Sequence, residues 1–535
     1  MGTYLNPGSQ KFKFSLNGMV YVDKSSLISV TNSIINTPQR FACLSRPRRF
    51  GKTMAIEMLS AYYGCGEETG ELFKSLKIQN NDSFPEHLNK YNCLMLNMQD
   101  FLSSTTTIVE MLSRIVKLIV KDIKKEYPYV ILADETDILQ IMSETYEQTG
   151  KSFVILIDEW DCVFREHKED HVSQKTYLDF LRMWLKDQEY IALAYMTGIL
   201  PIKKYGTHSA LNMFSEYSML EPWEFAPYFG FTENEVESLC ASNDVDMEEM
   251  RAWFDGYRLE YFSRMGKKPQ DIKISIYSPR SVVESIRTGK FNSYWNQTET
   301  YEALKAYIQM DFEGLKEDVV AMLAGASVPV ETRTFVNDMS SFEGKDDVMT
   351  LLVHLGYLTF DSSNSSVAIP NKEVSMEFIQ TIKNIPWGKS AGSIKRSAEL
   401  IESVWRGDSQ AVADGIEKAH QELVSILQYN DEDALSYVVG LAFYAARDYY
   451  QIHCELASGK GFADIVMIPR TRHANKPALV VELKWDKSAY GAIEQIKERK
   501  YMDAISDAKE ALLVGINYEK ASKRHECVIE KWIVD

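Results

Sequence analysis

No run of about 18 apolar residues occurs anywhere in the chain, so no segment is fit to cross a membrane as a helix. The opening residues, MGTYLNPGSQKFKFS, lack the basic-then-apolar profile of a secretory leader. Cysteine is scarce: seven among 535 residues, an odd number with no C-x-x-C pair. That argues against a disulfide framework and against a structural zinc, and a reducing cytoplasm is the expected location. Internal repeats and low-complexity blocks are missing. Positive charge is in deficit, with a formal net charge of −17. A surface of that sign excludes a general nucleic-acid coat, while leaving room for an enzyme that meets nucleic acid through a local groove.

The remaining composition is that of an ordinary globular chain, 45% apolar and 25% charged, long enough for about two to four domains. One stretch organises the first half. Residues 40–63, RFACLSRPRRFGKTMAIEMLSAYY, begin as a short apolar run, pass through a basic loop to Gly51-Lys52-Thr53, and continue with helical spacing. Strand, loop, Gly-Lys-Thr and helix, in that order, make a phosphate-binding loop. Loop amides and the helix N-terminus face the anion, Lys52 reaches the terminal phosphates, and Thr53 holds Mg²⁺. Arg46 stands where the full signature has its first glycine. Alone, GKT also fits a capped helix on a basic loop.

A second element favours the phosphate reading. Residues 153–161, FVILIDEWD, are a buried strand with carboxylates at its tip. Acids beside an apolar strand cost several kcal/mol unless a charge meets them. With GKT upstream, Asp158 is expected to hold Mg²⁺ and Glu159 to orient or deprotonate the attacking water. Residues 190–198, YIALAYMTG, form another strand whose tip residue, Thr197, is expected beside the phosphates. Residues 92–98 and 214–220 supply further strands, and 105–125 an amphipathic helix. Together they imply a parallel α/β sheet.

Beyond Phe225 the pattern changes. Thr232 and Glu235 form a capping box, and 253–258 and 277–280 read as turn-rich lid elements. A helix over 348–355 followed by a hairpin resembles a winged helix. Asp23 is expected to cap a helix before residue 30, residues 386–394 to form a linker, and Asp408 to cap a helix over 408–427.

The C-terminal part reads helix, strand, strand, strand, helix, strand. A hairpin turning about His473 places Asp464 opposite Glu482, with Lys484 on the same face. Facing carboxylates in apolar strands repel unless a cation separates them, and Mg²⁺ is the natural occupant. Lys484 then holds or activates a water and offsets phosphate charge. This is the D…E-x-K pattern of metal-dependent phosphodiester cleavage; a cross-strand salt bridge is its plainer explanation. Gln495 and Arg499, four apart on the next helix, share a face able to turn toward the strand ends.

At this point the likeness becomes specific. FSLNGMVYVDKSSLI, SRPRRFGKT, FVILIDEWD, GFTENEVE and YSPRSVV together resemble the bacterial AAA-ATPase-like family. The tail, ELASGKGFADIVMIPR with ALVVELKW and AIEQIKERKY, resembles the PD-(D/E)XK nuclease domain usually fused to it. The resemblance implies ATP bound at Lys52, Thr53, Asp158 and Glu159, and a nuclease-type site at Asp464, Glu482 and Lys484. It adds a helical acid at Glu432 and the glutamine at Gln495. The expected cofactor-binding set is Arg48, Arg49, Gly51, Lys52, Thr53, Asp158 and Thr197. Arg48, Arg49 and Arg258 are the arginines available to complete the ATP site. Expected metal ligands are Thr53 and Asp158 in the first site, Asp464 and Glu482 in the second.

The expected fold class is α/β: a P-loop NTPase parallel sheet with a helical, winged-helix-like lid, plus a C-terminal α/β restriction-endonuclease-like domain. The divisions fall at 1–225, 226–385 and 386–535. Expected partners are ATP and nucleic acid, DNA first, with no membrane and with homo-oligomerisation left open. Two other functions fit the same residues: an ATP-dependent switch or scaffold whose nuclease fold only binds nucleic acid or protein, and an ATPase that remodels a partner.

Overall fold

The structure is a computed structural model describing residues 2–202, 204–205, 208–209, 211–263, 270–295, 300–310, 312–336, 339, 341–383, 390–423, 432–458, 461–499, 505, 508 and 510–533. It separates into two compact units: residues 1–250, 254–294 and 330–370 in the first, and 251–253, 295–329 and 371–535 in the second. No helix among the described residues is long and apolar enough to cross a membrane.

The first unit is built on a parallel five-stranded sheet. Its strands are β1 (Phe41–Ser45), β2 (Asn92–Asn97), β3 (Phe153–Asp158), β4 (Ile191–Gly198) and β5 (Ser215–Tyr217), in the order β2-β3-β4-β1-β5. β1, β3 and β4 are buried along their whole length, which is why each reads as an unbroken apolar run. Period-two geometry splits them between two cores. Phe153, Ile155 and Ile157 face one, where Met111, Ile115 and Ile119 of the helix Ile108–Glu126 pack. Val154 and Leu156 face the other, with Ile56, Met58 and Leu59 of helix α1 (Lys52–Tyr63). Register then fixes the chemistry. Leu44 pairs with Thr197, Ser45 with Gly198 and Ile157 with Met196, so the ends of β1, β3 and β4 lie level.

Downstream, the Thr232–Glu235 capping box forms as expected, the Thr232 amide donating to Glu235 Oε2 at 2.8 Å. The two supposed turn-rich segments are short junctions between regular elements. Asp255-Gly256 link a helix (Met247–Phe254) to strand β6 (Tyr257–Ser263), and Ser278 links its antiparallel partner β7 (Gln270–Tyr277) to a helix Pro279–Thr288. Glycine and charge in these stretches masked a period-two pattern: Tyr257 and Leu259 are buried and Arg258 is exposed. Asp23 caps nothing. Ser26 precedes the helix Leu27–Ile34, and Asp23 accepts the amides of Ser25 and Lys77 at 2.8 and 2.7 Å. The helix Lys345–Leu355 is followed by the hairpin of β8 (Thr359–Asp361) and β9 (Ser366–Ala368).

In the second unit, residues 390–394 are helical, the start of Ser390–Trp405, while 386–389 lie outside the described residues. Asp408 Oδ1 accepts the Ala411 amide at 3.1 Å ahead of the helix Ser409–Leu423. A second five-stranded sheet follows: β10 (Tyr450–Ser458), β11 (Gly461–Pro469), β12 (Ala478–Trp485), β13 (Glu510–Glu519) and β14 (Arg524–Ile533), in chain order. All neighbours are antiparallel except β12 and β13, which are parallel and joined through helix α2 (Ala489–Glu498). β14 adds a strand that the sequence pattern does not announce.

α2 lies close on β13. A Cβ added at Gly515 meets the Ala489 carbonyl oxygen at 2.2 Å, a backbone atom that cannot swing aside. Gly515→Ala is therefore expected to destabilise the protein by about 1–3 kcal/mol. Gly491→Ala is the control, since its new methyl meets only Ser488 Cβ at 3.8 Å. Denaturant unfolding of the two variants beside the wild type checks the contrast.

Candidate functional site

Each site is built at strand ends. In the first unit, the loop leaving β1 enters α1 through Gly51, whose φ of +89° is the left-handed conformation that glycine adopts without penalty. Lys52 opens the helix and is 5% exposed. Its Nζ donates to the carbonyls of Arg46 (3.0 Å) and Pro47 (2.9 Å), so the ammonium lies inside the curl of the loop. Burial pulls the Lys52 pKa down, and Glu159, Asp158 and Asp161 oppose that pull.

Thr53 Oγ1 donates to Asp158 Oδ2 at 2.6 Å across 105 residues of sequence, and Thr197 Oγ1 donates to Asp158 Oδ1 at 2.6 Å. The structure thus gathers Lys52, Thr53, Asp158 and Thr197 around one buried carboxylate. Glu159 follows with φ +52°, uncommon for a residue with a Cβ, and burial raises its pKa against the charges of Lys52 and Arg165. Thr53 and Asp158 offer hard oxygens, the donor type that Mg²⁺ takes.

Arg46, where the full signature has its first glycine, turns inward. It is fully buried, donating from Nη1 to the carbonyls of Ser45 (2.8 Å) and Tyr217 (2.9 Å), with its guanidinium 5.6 Å from the Phe229 ring centroid. Burial lowers its pKa to about 10. Arg49 donates to the Tyr294 carbonyl at 2.8 Å. Arg48 is half-buried in the loop, and Arg258 is exposed on β6, where its amide donates to Thr359 Oγ1 at 2.9 Å.

Sequence reasoning passed over two residues here. Asp161, fully buried, accepts the amides of Ile199 (2.9 Å) and Leu200 (2.8 Å) just past β4. Arg165, in the short helix Cys162–Glu166, pairs with Glu159 and lies 3.4 Å from Asp161. The four-residue spacing of Asp161 and Arg165 was the signal available.

In the second unit, β11 and β12 pair Ile465 with Val481, Val466 with Val480 and Met467 with Leu479. One further step brings Asp464 opposite Glu482, the register expected from the sequence. Asp464 Oδ2 accepts the Leu483 amide at 2.6 Å. Glu482, 1% exposed, receives Lys484 Nζ at 2.8 Å on Oε1, and Gln495 Nε2 of α2 donates to the same oxygen. Its other oxygen, Oε2, is buried and has no hydrogen-bond partner among the described residues. Burial raises the Glu482 pKa, the Lys484 hydrogen bond opposes the rise, and the Asp464 charge adds to it while the Asp464 amide opposes it.

An orphaned carboxylate oxygen beside a second acid fits a hard divalent cation, with Asp464 and Glu482 to hold it. Among the described residues no group of three or more His, Cys, Asp or Glu side chains is placed to hold a metal. Glu432 opens the helix Glu432–Ala442, and its side chain lies outside the described residues. Arg499 follows directly on α2, its amide donating to the Gln495 carbonyl at 3.0 Å.

Comparison with known proteins divides along the same line. Residues 8–207 match the family model described as predicted AAA-ATPase. Residues 432–532 match that of the PD-(D/E)XK nuclease superfamily. An uncharacterized protein in the vnfD 5′ region of Azotobacter chroococcum mcd 1 is 21% identical over 268 residues, 48% of this chain and 47% of that one. The chain thus spans about half the length of the curated relative it matches. Among solved structures, the Aeropyrum Pernix ORC2 protein in its ADPNP–ADP complexes aligns with 68% of this chain and 94% of its own, at 10% identity and a TM-score of 0.24.

Proposed function

We propose that this chain, with its predicted-AAA-ATPase region ahead of a PD-(D/E)XK nuclease superfamily region, hydrolyses ATP and cleaves nucleic-acid phosphodiesters with Mg²⁺, the first activity governing the second. The observation that carries the reading is the buried pair Glu482–Lys484 facing Asp464, with Glu482 Oε2 lacking a hydrogen-bond partner among the described residues. A buried carboxylate oxygen without a donor is uncommon, and a bound cation would satisfy it.

In the first unit Lys52 stabilises the terminal phosphates, Thr53 and Asp158 hold Mg²⁺, and Glu159 accepts a proton from the attacking water. In the second, Asp464 and Glu482 hold Mg²⁺, Lys484 offsets the charge gathering on the phosphate, and Gln495 keeps Glu482 oriented. When bound, Mg²⁺ supplies electrophilic neutralisation of phosphate oxygens. The nucleic acid, DNA in this reading, is met locally, because the net charge of −17 repels it elsewhere.

The test is ATP turnover and DNA cleavage by the full chain, with single- or double-stranded DNA present or omitted. Both activities are expected with Mg²⁺ and both are expected to vanish on chelation with EDTA. ATP turnover without cleavage of any substrate would select a nucleotide-driven switch instead.

A further inference from the structure

Glu159 is an anomaly that its own strand does not explain. It is the first residue past β3, bent into the left-handed region, and it carries a largely buried carboxylate next to Asp158. A buried charge costs several kcal/mol unless a well-placed partner meets it. Asp158 cannot be that partner, being of the same sign and already taken by Thr53 and Thr197. Its hydrogen-bonding partner is Arg165, itself only 8% exposed, whose Nη2 meets Glu159 Oε2, while the charge of Lys52 also favours the ionised carboxylate.

Arg165 is in turn fixed. Its Nε lies 3.4 Å from Asp161 Oδ1, and Asp161 Oδ2 holds the amides of Ile199 and Leu200. These follow directly on Thr197 and Gly198 at the end of β4. At Gly198 even a methyl group is excluded, since a Cβ there meets the Trp160 ring at 2.7 Å and Asp161 Oδ1 at 2.9 Å. Burial works against the charge on Arg165, yet Asp161 and Glu159 hold its guanidinium above the usual range. A line of polar contacts therefore runs from the tip of β4 through Asp161 and Arg165 to Glu159.

We propose that Arg165 is the positioning residue for Glu159: it takes Oε2 and fixes the carboxylate so that Oε1 is the oxygen offered to the attacking water. The proposal rests on the ATPase reading above. Arg165 touches neither nucleotide nor water in this scheme and acts only through Glu159. Misplacing a reacting group by about 1 Å costs on the order of 100-fold in rate.

The experiment is a cycle in the full chain: wild type, Arg165→Met, Glu159→Gln and the double variant, with Arg165→Lys as the conservative replacement. R165M is expected to lower kcat for ATP by about 10–100-fold. The Kd for a fluorescent ATP analogue is expected to stay within about twofold, and R165K to recover part of the loss. In the E159Q background R165M is expected to cost nothing further in single-turnover hydrolysis. An undiminished kcat in R165M, analogue binding that weakens in step with kcat, or equal losses with and without Glu159 would each overturn the proposal.

Thermal midpoints of the four proteins without nucleotide form the second arm, independent of turnover. R165M takes the hydrogen-bonding cation from a largely buried carboxylate, so E159Q is expected to restore part of the midpoint that R165M loses; additive shifts would sink the pairing. A wild type that hydrolyses no ATP defeats the ATPase reading, whereas the thermal cycle still decides whether the two side chains act together.

Discussion

Lys52→Ala is expected to cut ATP turnover by at least about 100-fold, since removing one preorganised donor from a phosphoryl or acyl transition state costs on that order. The side chain sits inside its loop, 5% exposed, donating to the Arg46 and Pro47 carbonyls. Two effects follow from its loss. The phosphates lose their nearest ammonium, and two loop carbonyls lose the donor that shapes the curl. Binding of a fluorescent ATP analogue should weaken along with turnover. Steady-state hydrolysis at saturating ATP, beside a titration of the analogue, measures both. Persistence of wild-type turnover in K52A would remove the first site from the reading.

The second large effect is expected in the Asp464→Ala, Glu482→Ala double variant, whose cleavage of DNA in Mg²⁺ should drop to background. Alanine at 482 also strands Lys484, 9% exposed, and leaving one member of a buried ion pair costs about 3–5 kcal/mol. A misfolded second unit would then imitate a dead active site. Asp464→Asn with Glu482→Gln lessens this, because the amide oxygens still accept from the Leu483 amide and Lys484 Nζ while both negative charges go. The same loss of cleavage in D464N/E482Q, at an unchanged unfolding midpoint, assigns the effect to the missing carboxylates. Cleavage at the wild-type rate in both double variants would end the nuclease assignment.

Legibility in the sequence followed burial. β1, β3 and β4 are covered on both faces, so FACLS, FVILID and IALAYMTG stand out as unbroken apolar runs. The Asp464–Glu482 register was readable because a hairpin converts the position of its turn directly into facing pairs. Elements that are polar on one side were harder. β14, with Arg524, Glu526 and Lys531 along it, merges with the surrounding charge, and β6 and β7 were hidden by the glycines and lysines near them.

At the site, Lys52, Thr53 and Asp158 could be named because their spacing is chemical: glycine before lysine, an acid after a strand. Arg165 could not, because its importance lies in which carboxylate its guanidinium happens to meet, and only the path of the turn after β3 decides that. Arg46 was legible as a departure but not as a function. A fully buried guanidinium is something sequence alone gives little reason to expect.

That arginine has a further effect on how the protein tolerates change. Through its bond to the Tyr217 carbonyl, the nucleotide loop leans on β5, the outermost strand of its sheet. A glycine in its place would leave only the β1–β5 ladder to link the loop with that rim. Here, substitutions or insertions around β5, ordinarily the most forgiving part of such a sheet, should be felt at the centre as altered nucleotide affinity.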